Sequence, residues 1–225
     1  MRYNIFYQIH KALRFMLYET GIELQRTDFT SREEADACLK KISEVVHLFE
    51  KHAHNEDEKV FSALQEYELS VVDSFEQEHV TDLELAEKLK TLVRMYASLT
   101  NDGEKTQLGS ALRKSYIDFM VFNLQHMARE EDVINNLLWR HYSDDQIRAI
   151  ENDIVSNLPA EEAAYVVNLI MSALSTQEIV EWLKAVEKSA PEFVFNKLVE
   201  SAEKQLPNQR FQLVVEGLTE GVMTA

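Results

Sequence analysis

Apolar side chains recur every three or four positions along almost the whole chain, the spacing of one face of an α-helix. A first helix is predicted from about Tyr3 to Arg26. A second opens on Ser31-Arg-Glu-Glu34, a capping box, and its stripe Ile42, Val46, Phe49, Ala53, Val60 and Leu64 carries it to about Tyr67. A third covers about Val71 to Ser98, and the Asn101-Asp-Gly103 turn separates it from a fourth reaching Tyr142. At ~1.5 Å per residue these are rods of ~35–55 Å. Long helices with short connections predict an all-α, up-down-up-down four-helix bundle.

From Ser143 the helices shorten, to about 144–157, 160–173, 176–189, 192–205 and 208–219. Capping boxes at Ser143–Gln146 and Ser175–Glu178, and prolines at 159, 191 and 207, mark their starts. They are alike in length, without a close internal repeat. The expected division is therefore a bundle over 1–142 and a C-terminal set of short helices over 143–225. The second part is expected to serve as a cap, a homodimer surface or a platform for a protein partner.

Composition removes other classes. Only 5 Gly and 3 Pro are present, too few for a fold of many tight turns, and no glycine-rich phosphate loop occurs. No apolar run approaches the ~18 residues of a membrane helix, and the N-terminus lacks the form of a signal peptide. A net charge of −16 argues against nucleic acid and anionic membrane as partners. The lone cysteine, Cys38, allows no intramolecular disulfide and suits a reducing cytoplasm.

All seven histidines precede residue 143, so any metal chemistry belongs to the bundle. His10 shares a stripe with Tyr3, Phe6, Leu13 and Leu17, His79 with Val72, Phe75, Leu83 and Ala86, and His126 with Phe119, Phe122, Val133 and Leu137. His54 lies beside the stripe of the second helix, with Phe61 seven residues on. Each long helix thus offers one inward histidine. His54 and His126 each carry a glutamate at +4, Glu58 and Glu130, which shares a helix face with it. The pair His52–Glu56 lies about 200° from His54 at ~100° per residue and reads as solvated. Four imidazoles and two carboxylates in a dry core are costly as isolated groups and suit one or two divalent metals. Mixed imidazole and carboxylate donors favour iron, manganese or zinc over calcium or magnesium.

The run of His10, His54-Asn-Glu-Asp-Glu58 with Phe61, Glu78-His79 and His126-Met-Ala-Arg-Glu130-Glu131 resembles the hemerythrin-like (HHE cation-binding) domain over about residues 1–142. The resemblance implies a bundle with a non-heme di-iron centre, His10 and His54 on one iron, His79 and His126 on the other, and Glu58 and Glu130 as bridges. It implies a small ligand such as dioxygen or nitric oxide. Oxygen-carrying members have a further histidine where this chain has Leu83, and their last carboxylate falls at Glu131 rather than Glu130. The departures point toward members that sense iron or oxygen or repair iron–sulfur centres. His47 is a lesser candidate ligand. A ferritin-like di-iron oxidase is an alternative, resting on Glu44-Val-Val-His47 and Glu76-Gln-Glu-His79, although that fold calls for such motifs on alternate helices. A metal-free helical interaction protein, with the histidines as core residues, is a third reading.

Overall fold

The structure is a computed structural model and describes residues 2–219, which are helical with no strand among them. In order they form α1 (Tyr7–Arg26), α2 (Arg32–Asn55), a π-helical turn (Glu56–Phe61), α3 (Ser62–Tyr96), α4 (Asp102–Arg129), a second π turn (Glu130–Ile134), α5 (Asn135–His141), α6 (Asp144–Ser156), α7 (Ala160–Ala173), α8 (Thr176–Ser189), α9 (Glu192–Gln205) and α10 (Asn208–Thr219). None is long and apolar enough to cross a membrane. The chain divides into two units. One comprises 1–7 and 16–157, the other Gln8–Phe15 and the residues from Leu158 onward.

The first unit holds the long helices α2, α3 and α4 and the C-terminal part of α1. Asn101 starts α4 by accepting the backbone N–H groups of Gly103 and Glu104, satisfying two of its orphan donors. Ser31 caps α2 through Glu34 N–H, but the Glu34 carboxylate turns to Asp28 N–H, so the box is half-formed. The connection expected between Tyr67 and Val71 is only a break at Glu68 (φ −140°, ψ 48°) inside α3; no Gly or Pro there ends the helix. Phe6, Phe61, Phe75, Ile134 and Leu138 pack in one apolar cluster.

Helix α6 belongs to this unit, beyond the boundary expected at 142. Ile147 is fully buried in the same cluster. Arg2 pairs with Asp144 at 2.9 Å, Lys59 pairs with Asp153 at 2.7 Å, and Tyr3 Oη donates to Glu151. The division falls instead between Asn157 and Leu158.

In the second unit α7, α8, α9 and α10 begin at Ala160, Thr176, Glu192 and Asn208, a constant step of 16 residues (176 − 160 = 192 − 176 = 208 − 192). A repeat is therefore present where none was expected. It preserves the apolar character of a position rather than its residue: Ala163, Ile179, Phe195 and Phe211 recur in phase, as do Val166, Trp182, Leu198 and Val214. Helix α7 packs on α9, and α8 packs on both α9 and α10, so the repeated helices bury their apolar faces on one another, as in helical arrays. Arg210 ties this unit internally, its guanidinium donating to Leu174 O and, at 3.3 Å, to Thr176 Oγ1.

Candidate metal centre

Both π turns open on a glutamate that the bundle buries. Glu56 is 2% and Glu130 0% exposed. A π turn closes i→i+5 bonds, as Asn135 N–H does to Glu130 O. It widens the helix and shifts the phase of the residues beyond it, and such turns gather at functional sites. Here each occurs where a helix presents a carboxylate to the interior.

Glu56, His79, His126 and Glu130 are all buried, and their ligating atoms lie within 4.8 Å of one another. His79 Nε2 and His126 Nε2 are 3.0 Å apart. Glu130 Oε1 is 3.1 Å from His126 Nε2 and 3.8 Å from His79 Nε2. Glu56 Oε2 is 3.5 Å from His79 Nε2, while its Oε1 is 3.0 Å from His52 Nε2. The His52 side chain is only 10% exposed. Aromatic rings wall the centre: Phe61 stacks on His79 and Phe122 on His126, with centroids 5.3 and 6.0 Å apart.

The far side of each inner imidazole is held by an acid. His79 Nδ1 meets Asp57 Oδ1 at 2.7 Å, and His126 Nδ1 meets Glu78 Oε2 at 2.8 Å. Such a bond fixes the tautomer with its proton on Nδ1 and aims the Nε2 lone pair inward. Asp57 follows Glu56 on the first π turn, and Glu78 precedes His79 on α3. One helix therefore supplies an inner donor together with the residue that orients the next helix's donor.

Electrostatics follow from this crowding. Burial pulls the His79 imidazole down, but hydrogen bonds to Asp57, Glu130 and Glu56 outweigh it and push the group up to about 12. Burial and the adjacent Glu56 push the Glu130 carboxyl up, and the imidazoles of His126 and His79 bring it below its ordinary value. Two buried carboxylates thus demand positive charge, which a proton on His79 supplies in the metal-free chain. A cation would meet the same demand.

Of the residues expected as ligands, His79, His126 and Glu130 meet in this cluster. His10 is fully buried on α1. His54 and Glu58 do not meet it: they pair with each other at 3.3 Å on the surface, 60% and 57% exposed. Their places are taken by His52 and Glu56, the pair expected to be solvated. Glu131 is partly exposed and His47 is exposed, and neither stands among the clustered donors. With His47 outside, the helix-two motif of the ferritin-like alternative does not reach the centre.

The family model for the hemerythrin HHE cation binding domain matches residues 1–138. The chain belongs to the hemerythrin family. Among curated proteins this hemerythrin-family chain is similar to two named F-box/LRR-repeat protein 5. The zebrafish (Danio rerio) protein is 22% identical over 68% of this chain and 22% of its own length. The Atlantic salmon (Salmo salar) protein is 20% identical over 62% of this chain and 19% of its own length. The chain thus spans about a fifth of the length of these relatives. No solved structure matches it. Family membership and the buried His/Glu cluster together make residues 1–138 a metal-binding domain.

Proposed function

We propose that this hemerythrin-like domain holds two non-heme iron ions and responds to iron or to a diatomic ligand, dioxygen or nitric oxide. Glu56 and Glu130 would supply the carboxylate ligands. His79 and His126 would serve one ion, and His52 the other. The observation that carries this reading is the 3.0 Å approach of two imidazole Nε2 atoms beside two buried carboxylates. Two imidazole nitrogens this close, beside two buried carboxylates, are groups that one cation would hold together. The donor set fits: nitrogen with carboxylate oxygen suits iron, manganese or zinc, and a cation that displaces the His79 proton would find an Nε2 on each inner imidazole.

Bound iron would supply open coordination positions and one-electron chemistry to a small ligand. The chain's own residues do the remainder. Asp57 and Glu78 orient the imidazoles. Phe61, Phe75 and Phe122 line the imidazoles on their outer faces. Leu83, 48% exposed, leaves α3 with a single histidine ligand, which favours a sensing or iron-handling role over reversible carriage.

Metal analysis and an electronic spectrum of protein purified aerobically, and again after anaerobic ferrous loading, test the proposal. About two iron ions per chain are expected; less than half an ion of any transition metal would refute it. The register is tested separately. His52→Ala and Glu56→Ala are expected to lose at least half the metal, as is His126→Ala, whereas His54→Ala and Glu58→Ala keep it. Metal loss in His54→Ala with retention in His52→Ala would reverse the assignment.

A further inference from the structure

The two orienting acids differ in their surroundings. Glu78 is shared: its Oε2 faces His126 Nδ1 at 2.8 Å, while its Oε1 pairs with the Arg129 guanidinium. Arg129 lies over the Phe75 ring, 4.8 Å from the centroid, and Phe75 in turn lies 5.9 Å from His126. Asp57, which holds His79, has no such cation among the described residues and is 40% exposed. Arg129 ends α4 immediately before Glu130 opens the second π turn, so adjacent residues supply an inner donor and, facing outward, the cation that neutralises another donor's support.

We propose that Arg129 is a positioning residue that, through Glu78, weakens the donor strength of His126 and so sets the affinity and electronic character of the metal centre. A carboxylate draws on the Nδ1 proton of an imidazole and raises the basicity of Nε2. A guanidinium on the same carboxylate withdraws part of that negative charge, and its own charge opposes a nearby cation. His79, backed by an unneutralised acid, is then the stronger donor of the two. The inference rests on the metal-binding reading above and concerns its tuning, not its existence.

The effect has a sign that a purely structural role lacks. In the 225-residue chain, cobalt(II) affinity is measured by competition with a chromophoric chelator, together with the visible ligand-field spectrum. Glu78→Gln is expected to weaken binding about 10- to 100-fold, as loss of such a support does. Arg129→Gln is expected to tighten it roughly three- to tenfold, by removing a positive charge, and to shift the ligand-field bands. Arg129→Met, which keeps an apolar stem over Phe75, moves the same way, and Arg129→Lys restores the wild-type values. If Arg129→Gln and Arg129→Met weaken binding as Glu78→Gln does, or leave affinity and spectrum unchanged, the proposal is overturned. Wild-type chain that takes up no cobalt would instead remove the metal-binding reading, and this inference with it.

Discussion

Glu151 shows how one buried group makes stability depend on pH. Its carboxyl, on α6, accepts a hydrogen bond from Tyr3 Oη. Burial raises it above the ordinary carboxylate value, against the lowering effects of Tyr3 and Arg148. Tyr3 is raised as well, by burial and by Glu151. The folded state therefore binds the Glu151 proton more tightly than the unfolded state does. The associated stability is fully present below the ordinary carboxylate pKa and is lost as pH rises through the raised value. Glu151→Gln keeps an acceptor for Tyr3 and cannot ionise. Thermal denaturation at pH 4 and pH 7 should show the variant matching wild type at the lower pH and melting about 2–4 °C higher at neutral pH. A gap that is absent, or that widens toward pH 4, would contradict this. The same scale explains what was legible in the second helix. His52 follows Val45, Leu48 and Phe49 at −7, −4 and −3, whereas His54 follows His47, Glu50 and Lys51. Neighbours at those spacings share a face, so the buried histidine is legible in the chain. At ~100° per residue Glu56 stands about 60° from Ala53 and Glu58 about 140°. His54 imitates the inward position because two histidines at ±1 from Ala53 are symmetric about it, and only their flanks distinguish them.

Helix starts that carry a cap were legible to within a few residues, because caps are local chemistry. Ser143 with Gln146 and Ser175 with Glu178 form complete capping boxes, and the tail helices begin where those signals stand. The π turns were not legible, since a period of 3.6 carries no sign of one added residue. Close approach of helices was equally hidden. Gly109 on α4 sits against Phe29: a β-carbon there would lie 2.8 Å from Phe29 Cγ. Phe29 cannot easily move. It is 2% exposed, its carbonyl accepts Tyr96 Oη at 3.0 Å, and Arg113 lies over its ring at 5.4 Å. Gly→Ala within a helix ordinarily stabilises by up to ~1 kcal/mol, but overpacking a rigid contact costs ~1–3 kcal/mol. The second effect should win, so Gly109→Ala is expected to destabilise the chain by about 1–2 kcal/mol in urea unfolding. A stabilised variant would mean that Phe29 yields.

Across the whole chain, chemistry and repetition are kept apart. Every histidine lies in the long-helix segment, and the 16-residue array has none. Helix α6 shares the array's step, beginning 16 residues before α7 at Asp144 (160 − 144), yet it packs with the bundle. Sequence texture therefore changes at Ser143 while packing changes at Leu158, because caps and helix length record local rhythm and not the partner a face buries. The difference matters for where the bundle can be cut. A chain ending at residue 142 loses the burial of Ile147, the Arg2–Asp144 and Lys59–Asp153 pairs and the Tyr3–Glu151 bond. Burying one isoleucine contributes ~1.5–3 kcal/mol, whereas surface pairs such as Arg2–Asp144 contribute ~0–1 kcal/mol each. Both a chain ending at 142 and one ending at 157 lack the array, so the comparison isolates α6. The shorter chain is expected to melt at least about 5 °C below the longer. Equal melting temperatures would mean that α6 adds nothing to the bundle and that the boundary belongs at 142.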